Sequence, residues 1–334
     1  MKKILLLFIT LLVFVLLYQK VNYLTIIDCI RQTNPWIFTI ALLLFIPQFV
    51  VIAIRWKFFV SLFQEVSFVE SLKVTLGSQP MNLFLPSKTG DFAKIAIIDK
   101  EYATVSQGIG LVVIEKLLDV AALACVMIVG QIAYLLLVHG NITSYISIPI
   151  YSFLCVLVIG LVIIGLTLAL LAIHVNSKLK MPNTWFSKMG KLPLAGKLVK
   201  SLYNGISVIS LMRSKPYFRL KAISYTFCLW GLHLLQIYLF FYSLKEANNI
   251  MPSILQFSVF VPLAIFVGLI PITIAGFGTR DASLLLFFPE LPQQGILAIA
   301  LFINLRYIVP ALVGLPFVST ILKRLTKSSP KKQS

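Results

Sequence analysis

Apolar positions in this chain run in long unbroken blocks rather than alternating, and the blocks predict helices. Ile4–Tyr18, Trp36–Ile54, Ser106–Val138, Ile148–His174, Ala222–Leu244 and Ile296–Leu322 are each such a block. Several approach or exceed the roughly 20 residues that carry a helix across a bilayer's hydrocarbon. Two further blocks are interrupted. Phe68–Ile98 holds Gly77, Pro80, Pro86 and Gly90, and Ile254–Phe288 is broken by "PITIAGFGTRD" between Pro271 and Asp281. Proline and glycine inside an apolar run predict a helix that stops, bends and resumes. The expected fold is therefore all-α and polytopic, with about six full spans and two re-entrant broken-helix hairpins.

Charge sets the direction of each crossing. Ten Lys and Arg residues lie between Val175 and Lys221 with no acidic residue among them, and five more follow Leu322. Basic loops stay on the cytoplasmic side. A cytoplasmic N-terminus ("MKK") sends the first span out and the second back, leaving Arg55 and Lys57 inside. If Phe68–Ile98 is a hairpin entered from the cytoplasm, and Ile254–Phe288 one entered from outside, every basic loop falls inside. The two halves then read alike with opposite orientation, about 1–138 and 148–322. This is an inverted repeat, an arrangement in which broken helices meet near the bilayer midplane. A basic cytoplasmic loop (175–221) and tail (323–334) complete one integral membrane domain with both termini cytoplasmic, expected in a prokaryotic inner membrane. Leu194, Leu198, Leu202 and Ile206 recur at helical spacing within the loop. A surface helix and a solvated linker both fit that pattern.

Composition agrees. The 334 residues are 59% hydrophobic and 12% charged, against about a quarter charged in soluble domains. The excess of 29 Lys and Arg over 11 Asp and Glu is concentrated in loops, which points to anionic lipid rather than nucleic acid. Cys29, Cys125, Cys155 and Cys228 show no C-x-x-C spacing and are expected as core filler, so no disulfide framework, metal or cofactor is expected. His139, His174 and His233 lack ligand-spaced partners and are expected at span ends or packed. The first block resembles a signal peptide but lacks a small-x-small cleavage site, so a retained span is expected. No G-x-x-x-x-G-K-[ST] loop is present to bind a nucleotide.

Ionisable side chains at membrane depth are costly, so those within the broken blocks are the candidates for chemistry. Lys88, Asp91 and Lys94 recur every three residues beside Pro86 and Gly90. If a helix starts near Thr89, Asp91 suits its positive N-terminus, and the free N–H groups with the two lysines make an anion site. The alternative is a capped, neutralised surface turn. Arg280 and Asp281 follow Gly276 and Gly278, which let backbone approach a ligand closely. Arg280 carries a planar fork suited to phosphate; the alternative is a tie between hairpins, for example to Asp91. Glu115 and Asp119, one turn apart with Lys116 beside them, are read first as charge compensation for Lys88, Lys94 or Arg280. Arg306, mid-span beside Asn304 and before Pro310, needs a partner or an anionic ligand, and Asn82 adds an amide to the same cavity.

These residues carry a family resemblance. "MNLFLPSKTGDFAKI" resembles the N-x-x-x-P-x-x-x-G-E/D-x-x-R/K motif of the lysylphosphatidylglycerol synthase transmembrane, flippase-like family. "VIEKLLDV" is similar to its E-R-x-x-D stretch, "AGFGTRDASLLL" to its G-G-x-G-x-R-E motif, and "NLRYIVPALVGLP" to its closing run of an arginine followed by P-A-x-x-G. The ordered set spans nearly the whole chain. The resemblance implies movement of an aminoacylated phospholipid between leaflets, or, by analogy with archaeal relatives, a link to lipid-carried glycosylation. Lys116 stands where arginine is usual, Ala275 replaces the first glycine, and Asp91 and Asp281 replace glutamate. The chain ends twelve residues after Leu322, so a transmembrane domain without the soluble aminoacyl-transfer domain is expected.

Three functions follow as expectations. The first is a translocase whose Lys88, Lys94, Arg280 and Arg306 receive a lipid phosphate, while Asp91, Asp281 and Glu115 balance the empty site or bind a headgroup amine. The second is an integral membrane enzyme with Asp91, Glu115 or Asp281 as general base. The third is an accessory subunit of a partner synthase; self-association is a further expectation.

Overall fold

The computed structural model of the protein describes residues 2–19, 23–99, 101–137, 216–248, 250–270 and 272–327. All regular structure among them is helical, and the chain is an integral membrane protein. Three apolar helical runs are long enough to cross a bilayer: Pro35–Val60, Pro216–Leu244 and Gln293–Arg324. The expected span Ile148–His174 and surface helix 194–206 lie outside the described residues, as do Cys155, His139 and His174.

The chain begins with α1 (Lys2–Tyr18) and α2 (Tyr23–Arg31). These are bent by 82° and make a fourth crossing if the pair is one span. Asn34 caps α3 (Pro35–Leu43) by accepting from the Trp36 and Ile37 N–H groups, with Pro35 at the first helical position. Leu44, itself in the right-handed helical region, joins α3 to α4 (Phe45–Val60).

Both interrupted blocks then fold by the same recipe. Helix α5 (Phe68–Phe84) opens on a capping box between Ser67 and Glu70. Helix α8 (Ile254–Leu269) opens on one between Ser253 and Gln256. Reciprocal side-chain and backbone bonds fix each start. The two arms are 17 and 16 residues long, about 25 Å at 1.5 Å per residue and short of the roughly 30 Å of hydrocarbon. Each carries an interior proline, Pro80 or Pro262, without breaking there. Of the four expected interruptions, Gly77 and Pro80 leave α5 unbroken, and the break falls at Leu85–Pro86. Beyond it a 3-10 helix runs from Pro86 to Ile97. The helix anticipated near Thr89 therefore starts at Pro86 and is more tightly wound.

In the second block a 3-10 turn at Ile274–Gly276 leads the chain into α9 (Thr279–Phe287), which packs against α8. Ala275, Gly276 and Gly278 all have positive φ (53°, 76° and 87°). A Cβ on Gly276 would lie 2.5 Å from the Gly268 carbonyl oxygen, so turn and arm touch backbone to backbone. Ala275 occupies a left-handed conformation at a cost of about 1–2 kcal/mol that glycine avoids.

The remaining long helices are α6 (Val105–Leu137), α7 (Pro216–Asn248) and α10 (Gln293–Lys327). Helix α7 starts six residues before the expected Ala222, so Arg219 and Lys221 belong to it rather than to a loop. Packing is reciprocal: α5 of the first block lies along α10, and α8 of the second lies along α6. Burial in lipid gives no hydrophobic drive between helices, so close approach depends on small residues. Along the α5–α10 seam these are Gly77, which faces Ile321 and the Phe317 carbonyl, and Gly314, which faces Leu76 and Pro80. Arg324 of α10 closes the mouth of the seam on Glu70 at 2.7 Å. Cys29 is buried, whereas Cys125 and Cys228 are exposed on apolar faces, so these two are not core filler.

Backbone approach and open space predict opposite outcomes for two alanine substitutions. Gly314→Ala would place a methyl 2.1 Å from the Leu76 carbonyl oxygen, whereas nothing lies within 4 Å of a Cβ at Gly231. Thermal unfolding in detergent is expected to show Gly314→Ala destabilised by about 1–3 kcal/mol. Gly231→Ala, in the interior of α7, is expected to leave the midpoint unchanged or raised.

Candidate functional site: a charged cleft between the two broken helices

The 3-10 helix repeats every three residues, so positions three apart stack on one face. That winding sets Asp91 and Lys94 together, 3.7 Å between carboxylate and ammonium. Runs of this length are uncommon in 3-10 form and often mark functional segments. Gly90 lets the 3-10 helix lie against α5: a Cβ there would sit 2.4 Å from the Asn82 nitrogen. The same contact brings the Asn82 amide to donate to Asp91 Oδ1 at 2.9 Å. Pro86 and Lys88 belong to this helix, but their side chains lie outside the described residues.

Helix α6 supplies the counterions. Glu115 is 1% exposed and accepts from Lys94 Nζ at 2.6 Å through Oε2 and from Arg55 Nη2 at 2.6 Å through Oε1. Asp119, one turn on, accepts from Arg55 Nη1 at 2.7 Å and from the Trp230 indole at 3.2 Å. Lys116 pairs with Asp91 and lies 3.9 Å from Asp119. Arg55 also donates to Thr226 of α7 at 3.2 Å, and Lys94 sits 4.9 Å over the Trp56 ring. Three cations thus meet three carboxylates across α4, the 3-10 helix and α6, with α7 donating from its side. The compensation expected of Glu115 and Asp119 reaches Lys94 but not Arg280.

Arg55 corrects the sequence reading. It was expected with Lys57 in a cytoplasmic loop as an orientation signal. Instead α4 continues to Val60, and Arg55 is 2% exposed while Lys57 faces outward. Two residues on a helix are about 200° apart, so neighbours in sequence have opposite environments. A signal was present: Gln48, Ile52 and Arg55 are spaced i, i+4, i+7 and all line the cleft. Gln48 and Gln236 join α4 to α7 by a 3.0 Å hydrogen bond nearby.

From the second block, Arg280 and Asp281 lie at the start of α9 and are both buried. Asp281 accepts from the Gly278 N–H at 3.1 Å and from the Asn304 amide at 3.2 Å, so it caps α9 and ties it to α10. Arg280 donates to Asn304 Oδ1 and lies 3.7 Å from Asp281 Oδ1. The tie foreseen between Arg280 and Asp91 is made within the second half instead. The turn itself is held by α1, where Thr10 accepts from the Ile274 N–H at 2.9 Å. The 3-10 helix and the 3-10 turn touch, so the two breaks meet.

At that meeting is a cleft of about 850 Å³ of atom-free space, its mouth included. Asn82, Asp91, Lys94, Glu115, Lys116 and Asp119 line it from the first block and α6, with Arg55 and Gln48 from α4. Trp230 and His233 of α7, and Ala275, Arg306 and Tyr307, complete it. Arg280, Asp281, Gly276 and Gly278 stand behind this wall rather than in it. Trp230, His233 and Tyr307 were not foreseen, since nothing local distinguishes them from packed aromatic residues. Arg306 differs from the other cations: it is 5% exposed, its Nη1 has no hydrogen-bond partner, and no described carboxylate pairs with it. Its neighbour is the Tyr307 ring, 5.2 Å away.

The family model described as the lysylphosphatidylglycerol synthase TM region matches residues 3–314. No curated protein and no solved structure matches the chain.

The ion cluster makes Arg55 a test of burial energetics. Arg55→Met leaves Glu115 and Asp119 short of a cation, and removing one partner of a buried pair costs about 3–5 kcal/mol. Thermal unfolding in detergent is expected to show that loss. The double variant Arg55→Met/Glu115→Gln is expected to recover part of it, as a double-mutant cycle reads for coupled groups.

Proposed function

The chain belongs to the lysylphosphatidylglycerol synthase transmembrane family, and from that premise and the cleft we propose that it moves a phosphate-bearing lipid between the two leaflets of its membrane. The carrying observation is Arg306, a buried guanidinium with an unpartnered donor at the wall of a cleft whose other ions balance one another. A charge at membrane depth ordinarily has a partner or serves a substrate. A phosphate oxygen is the acceptor that a planar guanidinium fits best.

Two further observations support translocation. The two blocks share a capped short arm and a 3-10 break, and each packs against the long helix of the other half. This supports reading the two blocks as an inverted repeat whose halves rock about a central site. The basic segments 175–221 and 323–334 then face the cytoplasm, with both termini, in a prokaryotic inner membrane. In this reading Lys94 and Lys116 add positive potential to the cleft, Asn82 orients Asp91, and Gly90, Gly276 and Gly278 permit the close turns. Lys88, three residues before Asp91, joins the cationic set, and Arg280 with Asp281 holds the second break in place.

The enzymatic alternative requires a carboxylate ready to take a proton. Asp91 and Glu115 are each engaged by two cations, and Asp281 lies outside the cleft lining, bonded to the Gly278 N–H and the Asn304 amide, so translocation is better supported. An accessory role beside a synthase, or self-association, leaves this site unchanged.

Transfer of labelled phosphatidylglycerol between leaflets of proteoliposomes tests the proposal. The wild-type chain is expected to accelerate it over protein-free vesicles. Arg306→Ala is expected to lower the rate by about tenfold or more, the equivalent of 1.4 kcal/mol, while the variant remains monodisperse. An unchanged rate in that variant would remove the carrying observation.

A further inference from the structure

All eleven carboxylates of the chain can be located by sequence. Asp28, Glu65, Glu70, Asp99, Glu101 and Glu290 lie away from the cleft walls, Glu246 near the end of α7 has a side chain outside the described residues, and the remaining four are Asp91, Glu115, Asp119 and Asp281. Positions 138–215 contain no Asp or Glu. Among the described side chains the carboxylates of the cleft are therefore Asp91, Glu115 and Asp119, with Asp281 close by.

Each of the three that line it is fully committed. Asp91 has Asn82 and Lys94 on Oδ1 and Lys116 on Oδ2. Glu115 has Arg55 on Oε1 and Lys94 on Oε2, both at 2.6 Å. Asp119 has Arg55 and Trp230 on Oδ1, with Lys116 and Arg55 near Oδ2. Asp281 lies outside the cleft lining, with Gly278 and Asn304 on Oδ2 and Arg280 3.7 Å from Oδ1, which accepts no hydrogen bond. Among the described side chains the cluster holds three cations and three anions, Arg280 offsets Asp281, and Arg306 remains over; Lys88, if it joins them, only adds to the positive excess.

We infer that the cleft takes a headgroup whose net charge is negative, a phosphodiester or phosphate monoester without an added amine, and discriminates against aminoacylated phospholipid. The inference rests on the translocase reading for its lipid but not for its sign. A headgroup ammonium would find no carboxylate oxygen lining the cleft without a cation already on it, and the unpartnered Asn82 Oδ1 on the wall is a neutral amide oxygen. Lys116, with a side chain 39% exposed, is the most readily displaced tether. Displacing it exchanges one ammonium for another, frees a second cation into the cleft and leaves Arg306 unanswered. A phosphate carrying one negative charge neutralises the excess without disturbing any pair. The lysyl ester of phosphatidylglycerol carries one phosphate charge against two ammonium groups, so it adds positive charge to a cleft already positive by one. Its parent lipid subtracts one. Asp91, Glu115 and Asp281 thus serve as internal counterions rather than as an amine pocket.

Binding in detergent micelles by titration calorimetry separates the cases, with dioctanoyl phosphatidylglycerol, its lysyl ester and inorganic phosphate as probes. Phosphatidylglycerol is expected to bind about tenfold or more tightly than the lysyl ester. Arg306→Gln is expected to erase that preference, and Arg306→Lys to keep most of it. Equal or tighter binding of the lysyl ester by the wild-type chain overturns the inference, with no variant needed. The leaflet assay then divides the two readings. Selective binding of phosphatidylglycerol without its transfer upholds the charge selection and sinks the translocase. Transfer of the lysyl ester at the rate of its parent upholds the translocase and sinks the charge selection. Inorganic phosphate bound in place of either lipid, with the same Arg306 dependence, upholds the selection and identifies the ligand as a soluble anion.

Discussion

A charge withdrawn from water must be answered nearby, and this constraint organises the structure. Helices in lipid gain nothing from hiding apolar faces from one another, because the tails are as apolar as the side chains. Ion pairs across such helices act differently: each ion that loses its partner is stranded at a cost of several kcal/mol. Arg55, Lys94, Lys116, Asp91, Glu115 and Asp119 form one such interdependent set. The set joins α4, the 3-10 helix and α6, and through Thr226 and Trp230 it reaches α7. Moving any of these elements alone would break these pairs.

The two broken segments are held in different ways. The first is tied by ions to three other elements. The second relies on its left-handed turn, on Asn304 bridging Arg280 and Asp281, and on Thr10 of α1 accepting from Ile274. A segment fastened by fewer and more local bonds changes its arrangement at lower cost. Arg306 lies on α10 close to this second segment, facing the first. The unanswered cation therefore sits at the junction of the more strongly and the more lightly tethered halves. A ligand placed there touches both.

Ala275 illustrates how a family pattern and a local conformation meet. In a left-handed turn a glycine costs nothing, and an alanine is tolerated when its surroundings fix the backbone. Gly276 pressed against Gly268, together with the Thr10 bond, provides that fixing. The resemblance read from "AGFGTRDASLLL" thus has a physical basis in three positive φ angles within four residues.

The sequence by itself determined that the chain is helical and crosses a membrane, that two blocks break, and where the breaks fall to within a few residues. These properties follow from local physics: apolar length, the missing N–H of proline, the permissive backbone of glycine. It also supplied the charged positions at issue, and the resemblance to the family. Only the tertiary structure decided which charges answer which. Arg55 and Lys57 are two residues apart with the same sign, yet one closes a buried cluster and the other faces outward. Arg280 and Arg306 both looked like phosphate ligands, yet Asn304 and Asp281 engage the first and leave the second. Pairing depends on which helix faces are brought within about 4 Å, a distance fixed by the packing of elements far apart in the chain, and no local pattern encodes it.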